Sequence, residues 1–137
     1  MQLPLTVIID TNFLAAPVQA GIDIFKESER ILERKIEFQI LKSVVKETNR
    51  RFARPRDNKE RIAFNVAKSL MERCKIVEVP EQFLPLPVDD QILAYAKQVR
   101  GIIATNDRNL RQRARRAKIP VLFVRGKKKL ELEGYTA

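Results

Sequence analysis

Leu5-Thr6-Val7-Ile8-Ile9 is a continuous run of apolar and β-branched residues that stops at the polar triplet Asp10-Thr11-Asn12. A strand with no polar face must be covered on both sides. Strands of that kind belong to parallel sheets with helices packed above and below. The rest of the chain agrees with this constraint. After Gly21, Ile22, Phe25 and Leu32, with Ile24 and Ile31 beside them, predict a helix to about Glu33, and Ile36, Phe38 and Ile40 alternate as a strand over 36–41. From Ser43 the spacing of Val44, Val45 and Glu47 is helical and leads into Arg50, Arg51, Arg54 and Arg56, with Pro55 between them. Asp57 followed by Glu60 is a variant capping box before a helix whose stripe is Ile62, Ala63, Val66, Ala67, Leu70, Met71 and Cys74.

Lys75 to Val79 reads as a strand, and prolines 80, 85 and 87 mark an extended loop. Val88-Asp89-Asp90 opens a helix with Ile92, Leu93, Ala96 and Val99 inward, ending near Gly101. Ile102 to Thr105 is a strand, Asn106-Asp107 starts a helix with Leu110, Ala114 and Ala117 inward, and Ile119 to Val124 is a last strand. The end of the chain, from Arg125, reads as a basic turn with a short Leu130/Leu132 extension. Strands that alternate with helices predict right-handed βαβ crossovers and a three-layer, mainly parallel α/β domain. A length of 137 residues suits one domain.

Composition limits the chemistry. There is no histidine, and Cys74 is the single cysteine, which excludes Ser-His-Asp and Cys-His catalysis, zinc sites built on those ligands and any intramolecular disulfide. The four glycines, at 21, 101, 126 and 134, allow neither a GxGxxG fingerprint nor a Walker loop. Leu3 to Ile9 is too short to span a membrane and carries no basic flank, so it does not read as a targeting segment. A cytoplasmic chain is expected. Against 17 acids stand 27 Lys and Arg, a net charge of +10 that attracts polyanions, nucleic acid above all.

In a parallel sheet the carboxyl ends of the strands share one edge, and ligands bind there. Asp10 ends the first strand, Asp107 follows the Ile102 to Thr105 strand, and Glu47 lies a turn into the helix after the second strand. The proline loop can carry Asp89 and Asp90 back to the same edge. Carboxylates gathered in this way repel one another and raise one another's pKa unless a cation lies between them. All-oxygen donors select Mg²⁺ or Mn²⁺, and such ions activate water against phosphodiesters. Taken singly, each acid also has a purely structural use, as a strand exit, a solvated helix acid or a helix cap. Cys74 reads as a core residue.

Val7-Ile8-Ile9-Asp10-Thr11-Asn12, Val44 to Glu47, Val88-Asp89-Asp90-Gln91-Ile92-Leu93-Ala94-Tyr95-Ala96 and Ile103-Ala104-Thr105-Asn106-Asp107-Arg108-Asn109-Leu110 resemble the acidic motifs of PIN-domain nucleases. Ile119-Pro120-Val121 through Arg125-Gly126-Lys127-Lys128 is similar to archaeal PIN proteins allied to eukaryotic ribosomal RNA processing nucleases, and the whole is also similar to VapC-type toxins. The resemblance spans residues 5 to about 132 and implies a three-layer α/β/α fold with a central five-stranded parallel sheet in strand order 3-2-1-4-5 and Mg²⁺- or Mn²⁺-dependent endoribonuclease activity; the expected nuclease domain is 1–126, with residues 127–137 as its basic extension. Matched by motif, the family's acids fall on Asp10, Glu47, Asp89 and Asp107. Asp89 is preferred to Asp90 because Ile92 and Ala96 follow it three and seven positions on, while Asp90 is left able to reach a second metal. Thr11, Asn12, Thr105 and Asn106 are candidates for orienting the carboxylates or binding metal waters.

Arg108, Arg111 and Arg115 recur at helical spacing from the fourth acid onward, with Arg113 and Arg116 nearby. Together with Arg50, Arg51, Arg54, Arg56 and the Lys127, Lys128, Lys129 turn they make candidate phosphate contacts, and the scarcity of aromatics favours backbone recognition over base stacking. Two biologies fit the nuclease reading: a ribosomal RNA processing factor, whose partner is a pre-ribosomal particle, and a toxin held by an antitoxin protein. Both leave room for a homodimer. From other classes come a non-catalytic RNA-binding assembly protein and a flavodoxin-like receiver domain, the latter at odds with the charge.

Overall fold

A computed structural model of the chain describes residues 3–15, 23–126 and 129–134. Its strands are β1 (Leu5–Ile9), β2 (Ile36–Leu41), β3 (Lys75–Val77), β4 (Ile102–Ala104), β5 (Val121–Arg125) and β6 (Lys129–Glu133). Its helices are α1 (Ile24–Leu32), α2 (Lys42–Arg51), α3 (Asn58–Met71), α4 (Val88–Val99) and α5 (Arg108–Arg116), with 3₁₀ turns at Thr11–Ala15 and Glu81–Phe83. Ile22 of the predicted first helix lies outside the described residues.

The strands form one sheet in the order β3-β2-β1-β4-β5-β6. β1 is the internal strand that the apolar run demands: it pairs in parallel with β2 on one side and β4 on the other, and Val7, Ile8 and Ile9 are fully buried. From β1 the chain winds outward to β3 and then returns to build β4 and β5, so right-handed crossovers place the two groups of helices on opposite faces. Strand order therefore reverses between β1 and β4. The crevice at their carboxyl ends is where such a fold binds ligands. Ile40, Leu41, Ile92, Ile102, Ile103, Leu110 and Leu122 fill the core around this point without solvent contact.

Caps set the helix starts. The Asp23 carboxylate accepts from the N–H groups of Phe25 and Lys26, and that of Asp57 from Glu60. The reciprocal bond of the expected capping box is shifted by one residue, since Glu60 accepts from the N–H of Arg56 rather than of Asp57. α4 ends on Arg100, which takes the left-handed conformation itself (φ 54°). Gly101 has a different reason to be glycine: a Cβ there would sit 3.0 Å from the Thr6 carbonyl oxygen and 3.1 Å from Ile8 Cδ1.

Three expectations change. The basic tail contains strand β6, antiparallel to β5 with Leu122 opposite Leu132 and Val124 opposite Leu130, so the sheet has six strands and a covered β5 edge. The last parallel strand starts at Val121, two residues later than expected, because the approach through Ile119 and Pro120 is irregular and its Pro120 carbonyl serves β4 by accepting from the Ile103 N–H. The stripe of α3 is only partly covered: Ala67 and Met71 are buried but Ile62 is exposed, and Ala117, expected inward on the last helix, is instead the exposed residue that ends α5. Among the described residues no helix is long and apolar enough to cross a membrane.

Candidate active site

Asp10 follows the last residue of β1 and continues its ladder, with its N–H donating to the Ala104 carbonyl at 3.0 Å. The backbone therefore delivers a carboxylate to the β1/β4 crevice, where it is 4% exposed. Two groups hold it: the Thr11 N–H donates to Oδ1 at 2.8 Å and the Thr105 hydroxyl to Oδ2 at 2.7 Å. These bonds favour the charged form, but burial outweighs them, and the nearby charges of Asp89 and Glu47 add to it. The Asp10 pKa is pushed up to about 6. Burial, followed by the charges of Asp107 and Glu47, also raises the pKa of Asp89, against the lowering effect of Arg113.

Glu47 sits in the second turn of α2, and its Oε1 accepts from the Thr11 hydroxyl at 2.9 Å, which ties α2 to the exit of β1. Asp107 caps α5, with Oδ1 accepting from the N–H groups of Asn109 and Leu110 at 2.8 and 3.2 Å. Its own N–H donates to the Thr105 hydroxyl oxygen at 3.0 Å, so one threonine serves two acids. Asn12 Oδ1 accepts from the Asn106 N–H, and Asn106 Oδ1 from the Val124 N–H, which fastens the loop after β4 to β1 on one side and β5 on the other. Thr11, Asn12, Thr105 and Asn106 thus all bind the segments that carry the acids.

The two adjacent aspartates of α4 diverge, as neighbours about 100° apart on a helix must. Asp89 feels the charges of Asp107 and Glu47 and acts in turn on Asp10, whereas the Asp90 carboxylate is paired with the Arg113 guanidinium of α5. The expectation that Asp90 reaches a second metal meets this partner first. Neither aspartate caps the helix, whose N-cap is Pro87. Gln91, next in line, is buried and donates from Nε2 to the carbonyls of Leu86 and Leu84 at 3.0 and 3.4 Å, anchoring the proline loop that brings α4 to the edge.

Among the described residues no three acids stand close enough together to hold one ion as they are placed. The charges of Asp89 and Glu47 nevertheless act on Asp10, and those of Asp107 and Glu47 on Asp89. The fit to Mg²⁺ or Mn²⁺ rests on an all-oxygen donor set whose members repel, rather than on a closed cage.

The arginine row on α5 is spread along the helix. Arg108 is exposed at the acid edge, Arg111 lies with its guanidinium 3.9 Å from the centre of the Phe123 ring, and Arg115 lines a cleft of about 370 Å³ with Lys118, Ile119, Glu133 and Gly134 at the far end. Arg113, outside that row, is the α5 arginine bound to an acid of α4. Arg51, Arg54 and Arg56 line a second cleft with Phe52 and Glu60, and Arg56 is ion-paired to Glu60 at 2.7 Å. Arg50 is exposed at the end of α2, Lys129 is exposed at the start of β6, and Lys127 and Lys128 lie outside the described residues. Cys74 packs against the core partly buried, and burial pushes its thiol up to about 12, which disfavours the thiolate.

A family model described as a PIN like domain matches residues 7–127. Ribonuclease VapC4 of Methanocaldococcus jannaschii is 37% identical over 131 residues, which cover 93% of this chain and 96% of that protein. The solved PIN domain endonuclease Utp24 superposes with a TM-score of 0.76 at 32% identity, over 96% of this chain and 93% of the other. VapBC2 from Rickettsia felis, solved bound to a DNA fragment from its promoter, shares the fold alone, with a TM-score of 0.56 at 12% identity over 80% of this chain and 92% of its own. With its motif acids at the β1/β4 switch point and matches spanning nearly its whole length, the chain belongs to the PIN-like domain family.

Proposed function

We propose that the protein is a metal-dependent endoribonuclease that hydrolyses RNA phosphodiester bonds at the β1/β4 crevice. The observation that carries this reading is Asp10: a carboxylate buried among like charges, held by Thr11 and Thr105, and pushed up to about 6. Strongly perturbed carboxylates in a cleft mark functional sites more often than structural ones. The ribonuclease name of the M. jannaschii relative and the endonuclease description of Utp24 support it.

Asp10, Glu47, Asp89 and Asp107 would hold Mg²⁺ or Mn²⁺. Such an ion supplies an activated water and charge stabilisation for the leaving oxygen. The chain's own contribution is orientation. Thr105 fixes Asp10 and the loop of Asp107 through one hydroxyl, Thr11 fixes Glu47, and Asn12 with Asn106 holds the loop between β4 and α5. Arg108 and the Arg50 to Arg56 segment offer charge for the RNA backbone on either side, in keeping with the net charge of +10.

A ribosomal RNA precursor is the first candidate substrate, on the similarity of the Ile119 to Lys128 segment to archaeal PIN proteins allied to ribosomal RNA processing nucleases. The second reading, a toxin ribonuclease with an antitoxin partner, is supported by the likeness to VapC4. Purified protein incubated with labelled structured and single-stranded RNAs in Mn²⁺ or in EDTA tests the activity: cleavage is expected in Mn²⁺, absent in EDTA and absent in Asp10→Asn. Equal cleavage by wild type and Asp10→Asn would place the chemistry elsewhere. Copurification of a small partner protein that silences cleavage would favour the toxin over the processing factor.

A further inference from the structure

Arg113 projects from the second half of α5 to the Asp90 carboxylate on the first turn of α4, so the pair joins the helix that carries Asp89 to the helix that Asp107 caps. Their side chains are 37% and 33% exposed, neither sealed in the core nor free in solvent. A pair this open adds little to stability, so stability alone does not account for its place. A guanidinium offers five donors in a planar fork that fits a carboxylate and a phosphate equally well. In the structure Nη2 is the atom that meets Asp90. The other α5 arginines are placed differently: Arg111 lies over Phe123, Arg115 lines the far cleft, and Arg108 and Arg116 are exposed.

We propose that Arg113 is the residue that receives an RNA phosphate at the mouth of the acidic crevice, and that Asp90 is its positioning residue, holding the fork there until the phosphate takes over the contact. This rests on the ribonuclease reading above. It gives the two α4 aspartates separate tasks, Asp89 toward the acids and Asp90 toward the substrate-binding cation. It also answers a physical problem of the site, since a polyanion approaching several carboxylates needs a fixed positive charge beside them. The charge of Arg113 does reach Asp89, whose pKa it lowers.

If the pair were only a clasp between α4 and α5, breaking it from either side would have the same effect. If Arg113 is a phosphate receiver, the two sides have opposite effects. A fluorescent single-stranded RNA oligonucleotide titrated against wild type, Arg113→Ala, Arg113→Lys and Asp90→Asn in EDTA, by anisotropy across a salt series, separates these cases. Arg113→Ala should weaken binding about tenfold and make the log K against log salt slope shallower by about 0.7, the share of one phosphate contact. Arg113→Lys should recover part of the affinity and the full slope, because it keeps the charge without the fork. Asp90→Asn should tighten binding by about threefold, because a competing anion is gone. Circular dichroism and thermal melts of all four proteins confirm a common fold. Arg113→Ala binding like wild type, or Asp90→Asn weakening binding as Arg113→Ala does, overturns the inference while wild-type Mn²⁺-dependent cleavage still stands. A wild type that neither binds nor cuts RNA overturns the ribonuclease reading, and this inference with it.

Discussion

The Thr105 hydroxyl donates to Asp10 Oδ2 at 2.7 Å, joining the ends of β4 and β1 across 95 positions of sequence. The bond lowers the Asp10 pKa against the burial that raises it. Thr105→Val should therefore raise that pKa further above about 6 in the metal-free protein, which an NMR titration of the Asp10 carboxyl in EDTA reads directly. An unchanged titration midpoint would mean that the Thr105 hydroxyl does not stabilise the charged carboxylate.

The raised Asp10 pKa also makes a statement about stability. The folded protein holds this proton more tightly than the unfolded chain, so the favourable contribution is complete below the usual carboxylate value of 3.8 and is lost as pH rises through about 6. At pH 7 without divalent metal, Asp10→Asn should be more stable than wild type by up to about 3 kcal/mol, from roughly two pKa units at 1.36 kcal/mol each. Near pH 3 the advantage should vanish. Urea unfolding at the two pH values in EDTA checks this.

Mn²⁺ should offset much of that difference. An ion that binds only the folded state at a hundredfold excess over its Kd adds about 2.7 kcal/mol. The melting temperature of wild type should rise with Mn²⁺, and that of Asp10→Asn should rise distinctly less. Equal shifts in both proteins would remove Asp10 from the metal-binding group.

Asp89→Asn should lower Mn²⁺-dependent cleavage by at least about a hundredfold, roughly 2.7 kcal/mol of transition-state stabilisation, with Asp90→Asn costing less. Single-turnover rates on protein of matched circular dichroism are the measurement. A larger defect in Asp90→Asn would exchange the roles of the two residues.

Gly101→Ala should destabilise the fold by about 1–3 kcal/mol, because the new methyl group would press on the Thr6 carbonyl oxygen at 3.0 Å, a backbone atom of β1 that cannot swing aside. Denaturant unfolding reads the loss directly. A stability equal to wild type would show that β1 and α4 can separate at this contact without cost.

What could be read from the sequence divides along a physical line. Asp10, Asp89 and Asp107 stand at the ends of strands or starts of helices whose positions follow from hydrophobic periodicity, so their arrival at one edge follows once the sheet is parallel. The four polar neighbours follow with them. The direction of side chains across the gap between two helices is not periodic information. Arg108, Arg111 and Arg115 form a row on α5, but the helix runs away from the acids, and only its packing against α4 and β5 decides that Arg113 meets Asp90 while Arg111 lies over Phe123. Strand β6 did leave a signal, since Leu130 and Leu132 alternate with Lys129, Glu131 and Glu133 in the period of a half-buried edge strand. The neighbouring lysines obscure it.

β6 also makes the end of the PIN motifs a poor place to cut this chain. The family match closes at residue 127, yet Val121, Leu122, Phe123, Val124 and Arg125 each have an opposite residue on β6, and Arg125 is ion-paired to Glu131 at 2.7 Å. A chain shortened to 1–126 would leave the N–H and C=O groups of alternate β5 residues, those that face β6, unpaired along the sheet border. Borders of that kind recruit further strands. β6 thus acts as a stopper on that border, and its loss should make the chain associate through its own sheet more readily than the full-length protein does.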